Sequence, residues 1–469
     1  MSPARGRADL AVVGAGISGL AAAWEGLRQG ARVLVLDAAA GPGGKLQTSP
    51  FAGIGLDESA DAFLARVPEA VELCAELGIT SELVTPATGA AYVFHGGDLR
   101  RLPPDQLLGV PTDVDALAAS GMLSTAGVAR ARQDLVAPDD RPAGGADESV
   151  GDLVRRRLGD EVLDRLVGPL VGSIYAGDCD HLSLQVSAAQ LAAARDRDPG
   201  DPSLVRAAAA VRAQAIETGR PVFLAPAGGM ARLVGAITEH LGDDLRTGAP
   251  VGRLTHERDG WHVEPAGIRA DAVVVATPAF ATAPLVAPHA PAAAGTLAAI
   301  DHASVALIAL AVPRTGIVRD LDGSGFLVPR SAGLLTTACS WVSSKWPHLD
   351  TDPDVTLLRA SVGRDGDDRG RTLDDDALVE GVLADLATTM GLRAAPTDVR
   401  ISRWPCSFPQ PRPGHLGRVA AVEAEISEVP GLAVTGAWAR GVGVPACIRG
   451  GRTAVRRVLD RAPRGTTTP

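Results

Sequence analysis

Residues 9–37 read DLAVVGAGISGLAAAWEGLRQGARVLVLD. LAVVG has the pattern of a short buried strand, LAAAWEGLRQG that of a helix ending near Gly30, and ARVLVLD that of a second strand ending at Asp37. Between the first strand and the helix, Gly14, Gly16 and Gly19 stand at GxGxxG spacing, flanked by Ile17 and Ser18. Strand, turn, helix and strand follow in the order that a dinucleotide-binding unit requires. Gly14 permits the tight turn, Gly16 lets the backbone approach a pyrophosphate, and Gly19 lets helix and strand pack closely. The helix start offers free N–H groups and partial positive charge. Asp37 is placed to accept hydrogen bonds from a ribose diol and would repel a 2′-phosphate, which disfavours NADP. A glycine turn without a ligand is the structural alternative, and this region alone does not separate FAD from NAD.

Working outward, AAAGPGGKLQT at 38–48 places Gly41, Gly43 and Gly44 in a loop that can lie close to a cofactor, with Lys45 able to neutralise phosphate. FLARVPEAVELCAELGI at 63–79 reads as one amphipathic helix, and AAYVFHGGDLRRLP as a hairpin turning at Gly96 and Gly97. The polar, turn-rich stretch 137–151 is a connection, and helical segments are expected around 152–167 and 187–215. PVFLAPAGGMARLVGAITEHLG at 221–242 reads as strand, glycine turn and helix. The segment containing Val251 would flank the adenine half of a ligand. DAVVVATP at 271–278 is a buried strand that returns the chain to the nucleotide sheet at Ala276 and Thr277. Strand-like pieces then dominate 303–408, with one helix at LVEGVLADLATTMGL.

A second glycine-rich run closes the chain: LAVTGAWARGVGVPACIRGGRTAVRRVLD, a strand, glycines at 436, 441 and 443, then a helix. Val444 and its neighbours could set backbone N–H groups against the pyrimidine edge of a flavin and stabilise negative charge there. A nicotinamide dehydrogenase has no evident use for this return. A plain α/β unit packing on the sheet leaves the clustered glycines unexplained.

The expected fold is therefore α/β, with α+β character in a substrate domain: a Rossmann-like FAD-binding domain split along the chain, interrupted by a substrate domain and a helical region. The expected parts are 1–79, 221–294 and 411–460 for the FAD domain, 80–220 for the substrate and helical region, 295–410 for the second part of the substrate domain, and 461–469 for a flexible tail.

Composition bounds the partners. The chain has 469 residues, is 46% apolar and 21% charged, and carries formal net charge −10, so a soluble globule of two or three domains is expected and nucleic acid is disfavoured. Five scattered cysteines without CxxC spacing indicate a reduced, cytoplasmic chain and no zinc site. No signal peptide or transmembrane segment is read, and peripheral membrane contact stays open. Nothing in the sequence sets the oligomeric state.

The chain resembles the FAD-dependent protoporphyrinogen and coproporphyrinogen oxidases, the bacterial coproporphyrinogen III oxidases in particular. VVGAGISGLAAA and GGKLQT are shared with amine-oxidase-like flavoproteins generally. More specific are DESVGDLVRRRLGDEVLDRLVGPLVGSIYAGD at 147–178, GFLVPR at 325–330, ACSWVSSKWPH at 338–348, WPCSFPQPRPGH at 404–415 and GVGVPACIRGG at 441–451. Departures are Pro411 in place of a frequent tyrosine, Ala446 in place of a common aspartate, and DESADAF at 57–63 in place of a glycine–proline form. The resemblance implies FAD, six-electron oxidation of coproporphyrinogen III in haem synthesis, oxygen as acceptor, hydrogen peroxide release, and transient contact with the next enzyme of the pathway. No side chain is assigned the catalytic step, because the flavin carries the chemistry. The cofactor residues are those named above together with Trp404 and Gly436. Arg66, Lys345 and Arg449 are the candidate substrate contacts, with Tyr175 as wall or donor. Protoporphyrinogen IX, an amine, or a non-catalytic flavin-binding scaffold are the alternatives.

Overall fold

The computed structural model describes residues 7–139, 141, 145–198, 200–217 and 219–460 (backbone only at 215–217); the expected tail at 461–469 lies outside them. The opening unit forms as its pattern requires: β1 (Arg7–Val13), α1 (Ile17–Arg28) and β2 (Val33–Leu36), with β1 and β2 parallel. The buried run Ile268–Val275 (β3) lies on the other side of β1, Val12 opposite Val274 and Val13 opposite Val275. The Leu432–Val434 strand continues the parallel sheet beyond β3. Segments some 270 and 430 residues into the chain thus complete the sheet begun at residue 7, and the nucleotide domain is split.

One expected element differs. The helix read over 63–79 is confined to Pro68–Glu76, and Phe63–Leu64 instead pairs with Phe223 and Leu224 as a short strand. Proline favours the first helical turn and biases its predecessor toward extended backbone, so the helix starts at Pro68. Val251 lies in no strand. It follows a link in which Gly248 and Ala249 donate to the carbonyls of Ala39 and Asp37, holding this segment beside the end of β2.

The inserted region has a helical cluster and a sheet. Within the cluster, α2 (Gly168–Tyr175) packs its buried Val171 and Tyr175 with Leu153, Leu166 and Leu182. The sheet contains β4 (His302–Pro313), β5 (Gly325–Leu327), β6 (Thr336–Trp341), β7 (Val355–Val362) and β8 (Asp398–Pro409), extended by the hairpin Tyr92–His95 and Asp98–Arg101. The amphipathic helix α3 (Asp375–Met390) covers one face, burying Leu378, Val382 and Leu386 against Ile308, Leu310 and Leu358. The opposite face carries Ala309, Ala311 and Leu357 into the core beneath the nucleotide domain. The chain then returns and ends its described part in α4 (Val444–Leu459), which packs along α1. Among the described residues no helix is long and apolar enough to cross a membrane.

Candidate functional site

Each glycine of the first turn has a distinct steric reason. Gly14 has φ +101°, and a Cβ there would stand 2.9 Å from the Ala276 carbonyl oxygen at the end of β3. A Cβ on Gly19 would collide with the Gly14 carbonyl oxygen, so α1 can start this close to the turn only with glycine. Gly16 differs: its φ is −70°, and a Cβ would meet no protein atom within 4 Å. What that position keeps clear is space, not chain. Gly16 is also the N-cap of α1, which has no side-chain cap and no acidic residue in its first turn. Its initial N–H groups have no side-chain partner, the arrangement suited to an anion. Gly43 donates to the Ala15 carbonyl oxygen at 2.8 Å, and Gly44 lies so close that its Cβ would be 3.2 Å from the Gly16 Cα. The two glycine loops form one cradle.

Asp37 holds this cradle from below. Its carboxylate accepts from the Ala15 N–H at 2.5 Å and the Ala39 N–H at 2.7 Å and stays half-buried. The residue read as a ribose acceptor is therefore also a brace of the glycine turn.

The second glycine run makes a matching start. Thr435 donates to the Val275 carbonyl oxygen, extending the parallel sheet by one bond before Gly436. Gly443 is the N-cap of α4, again with no side-chain cap and no acid in the first turn. The helices α1 and α4 touch at glycine: a Cβ on Gly451 would collide with the Ser18 carbonyl oxygen. Gly451 lies about 10 Å along the helix from Val444, whereas Ser18 is at the very start of α1. A ligand that used both starts would have to be extended.

Beyond these helix starts the sheet leaves a cavity wall. Leu307, Ser361, Ala338 and Leu327 are register neighbours across β4, β7, β6 and β5. All four are half-exposed although their strands lie inside the sheet. Leu327 and Val442 of the glycine run both pack on the edge of the helical cluster, together with Leu170 of α2. At one end, Ala303, Val305, Trp404, Phe408 and Ala176 form a small apolar cluster. Trp404 donates from Nε1 to the Glu58 carbonyl oxygen at 3.0 Å. Tyr175 is buried, donates its hydroxyl to the Val186 carbonyl oxygen at 3.1 Å, and lies 3.7 Å from where a Gly441 Cβ would be. Burial pushes its phenol up to about 12, so it is a neutral wall beside the second glycine run.

The predicted cations separate. Lys45 points its Nζ over the Phe408 ring, 5.9 Å from the centroid, and has no carboxylate partner among the described residues. Burial holds its ammonium below the usual lysine range. Lys345 is instead engaged inside the protein: its Nζ meets Asp61 at 2.8 Å, where Arg359 (3.2 Å) and the Trp346 indole (3.2 Å) converge on the same oxygen. Arg449 pairs with Glu69 on the outer side of α4 and is 52% exposed. Each of these two cations thus already has a carboxylate within the protein. Arg66 stays half-buried, its Nε without a hydrogen-bond partner among the described residues. The departures are accommodated: Pro411 uses only its carbonyl, which accepts from Ser183 at 2.7 Å, and Ala446 is half-buried in the first turn of α4. Burial also pushes the thiols of Cys74, Cys179 and Cys339 up to about 12, which removes them as nucleophiles.

Sequence reasoning missed the Asp61 cluster. Its signal was the acidic DESADAF stretch, which registered only as a departure and whose partners lie some 280 to 300 residues further on.

A split Rossmann-like sheet, two uncapped helix starts at its carboxyl edge and an inserted, mostly antiparallel sheet together define an FAD-dependent oxidoreductase of the amine-oxidase type. The chain belongs to the flavin containing amine oxidoreductase family, whose model matches residues 17–459, and within it is related to the coproporphyrinogen and protoporphyrinogen oxidases. It is 33% identical to coproporphyrinogen III oxidase of Bacillus subtilis (strain 168), over 97% of this chain and 98% of that one. It is 36% identical to coproporphyrinogen III oxidase of Mycobacterium bovis, over 96% and 97% of the two chains. Among solved structures, a protein of Exiguobacterium sp. 255-15, provisionally named a protoporphyrinogen oxidase, superposes with TM-score 0.83 at 28% identity, covering 98% of this chain and all of that one.

Proposed function

We propose that this chain binds one FAD non-covalently and oxidises coproporphyrinogen III to coproporphyrin III, with oxygen as final acceptor, as a cytoplasmic step of haem synthesis. The observation that carries the reading is the pair of uncapped helix starts, Gly16–Ile17 and Gly443–Val444, on helices joined at Ser18 and Gly451, with open space at Gly16. FAD, when bound, supplies two-electron chemistry and passes the electrons to oxygen. Gly16, Ile17 and Ser18 would receive the pyrophosphate, Asp37 and the Val251 segment the adenosine half, and Gly443 and Val444 the polar edge of the ring. The sheet wall of Leu307, Ala338 and Leu327 would orient the puckered tetrapyrrole of a porphyrinogen, while Tyr175 and Phe408 keep the site apolar. No strong base is needed, because the macrocycle is electron-rich: each of the four bridging carbons loses one hydrogen and two of the four pyrrole nitrogens lose theirs, three hydrides and three protons in all, as conjugation forms. The balance is coproporphyrinogen III plus three oxygen to coproporphyrin III plus three hydrogen peroxide, six electrons and six protons in all.

Protoporphyrinogen IX is the second reading, favoured by one observation: with Lys345 and Arg449 engaged elsewhere, fewer cations are left for four propionates. Comparing kcat/KM for the two porphyrinogens under the same aerobic conditions tests the choice. Equal or better use of protoporphyrinogen IX overturns the first reading and leaves the flavin oxidase intact.

A further inference from the structure

β7 ends at Val362, and the chain turns sharply through Gly363 to Asp367. Gly363 has φ +94°, and a Cβ there would stand 2.6 Å from the Ser304 carbonyl oxygen and 3.3 Å from the Val305 Cα. The turn is closed by reciprocal backbone bonds between Arg364 and Asp367, at 3.1 and 2.8 Å. It is tied across the cavity end, where the Asp365 N–H donates to the Ala176 carbonyl oxygen at 2.7 Å. Arg412 holds the Asp365 carboxylate at 2.8 Å. Arg364 is thus flanked on both sides by contacts to Val305 and Ala176, members of the apolar cluster that closes the cavity wall.

The guanidinium of Arg364 has no hydrogen-bonded or ion-paired partner among the described residues, and its Nε is buried. Its acidic neighbours are already engaged. Asp367 takes both Nε and an Nη of Arg369, at 2.9 and 2.7 Å. Asp178 stands 3.6 Å from Arg330. Arg330 and Arg369 add like charge around Arg364, and Asp365 is held by Arg412. Burial, then the charge of Arg330, holds the Arg364 guanidinium below the usual arginine range. A half-buried cation without a counter-ion is costly, and a planar guanidinium is shaped for a two-point hold on a carboxylate. Lys45, over Phe408, stands on the nucleotide side of the same apolar cluster.

We infer that Arg364 is a specificity-determining residue that binds a peripheral carboxylate of the substrate beside the apolar cluster of Ala176, Val305 and Phe408, with Arg330 as its supporting cation. The inference rests on the porphyrinogen reading above. It replaces Lys345 and Arg449 as the substrate's charged contact.

The test uses the FAD-loaded full chain and two probes, coproporphyrin III and its uncharged tetramethyl ester, with binding followed by porphyrin fluorescence. Arg364→Met should weaken coproporphyrin III binding at least tenfold, leave ester binding within twofold, and leave flavin content unchanged. It should lower kcat/KM for coproporphyrinogen III more than for protoporphyrinogen IX. Unchanged coproporphyrin III affinity in that variant, beside a wild type that turns over either porphyrinogen, overturns the inference alone. A wild type that turns over neither overturns the functional reading instead. Should Arg364→Met not fold, Arg364→Lys serves: a lysine beside Arg330 and Arg369 titrates at lower pH than arginine, so coproporphyrin III affinity should fall between about pH 7 and 10 only in that variant. Superimposable pH profiles of the lysine variant and wild type would equally overturn it.

Discussion

Gly451, near the middle of the last helix, rests against the Ser18 carbonyl oxygen at the start of the first. This contact joins two segments more than 430 residues apart and sets where the second uncapped helix start stands relative to the first. Gly451→Ala should therefore push α4 away from α1. Overpacking of this kind typically costs about 1–3 kcal/mol. Urea unfolding should show that loss, and purified variant should retain less FAD than wild type.

Gly16→Ala should behave in the opposite way. Its φ of −70° suits alanine and its Cβ meets no protein atom, so stability without cofactor should change by no more than about 1 kcal/mol, with a gain allowed by reduced unfolded-chain entropy. FAD affinity should still fall, because the added methyl occupies the cradle. Isothermal titration with FAD beside urea melts separates the two effects. A large loss of stability with unchanged FAD affinity would place the role of Gly16 in the fold.

Asp37→Ala removes an acceptor from the Ala15 and Ala39 N–H groups as well as from any ribose. FAD affinity should fall about tenfold to a hundredfold, in line with roughly 1.5–3 kcal/mol for a hydrogen bond to a charged group. Unlike Gly16→Ala, this variant should also melt earlier in the absence of FAD. Differential scanning calorimetry on FAD-free protein is the check.

Lys345→Met separates a structural role of this cation from contact with substrate. It leaves Asp61 with Arg359 as its one remaining cation, so stability should drop by about 1–3 kcal/mol while coproporphyrin III affinity stays within twofold. The cluster also carries a pH signature. Burial would raise the Asp61 carboxyl, but Lys345 and Arg359 outweigh it and hold it well below the usual carboxylate range. A depressed carboxyl contributes stability that is complete above its unfolded value of about 4 and lost as pH falls from there toward the folded value. Asp57 next to it is shifted the other way by burial. Asp61→Asn should therefore lower stability at pH 7 and flatten its decline below pH 4, as read from urea midpoints across pH.

The first glycine turn and its flanking elements were legible because their signals are local. Gly14, Gly16 and Gly19 act within one turn, and strand, helix and strand patterns surround them, so roles could be assigned by spacing. The second helix start was legible for the same reason. The helix over 63–79 was drawn too long because apolar periodicity continued across Pro68, where backbone sterics decide the boundary. The charged contacts were least legible. Lys345, Arg449 and Arg364 look alike in sequence, and what separates them is whether Asp61, Glu69 or no carboxylate meets them in three dimensions. Asp61 and Lys345 are 284 residues apart, and no periodicity links them.

The measurement that tests the central claim most directly is an anaerobic titration of the yellow holoprotein with coproporphyrinogen III, following flavin absorbance and porphyrin fluorescence together. The account predicts that the flavin bleaches, that one porphyrin forms for every three flavins reduced, and that oxygen restores the yellow colour with release of hydrogen peroxide. Flavin that stays oxidised in the presence of excess coproporphyrinogen III and protoporphyrinogen IX would contradict it.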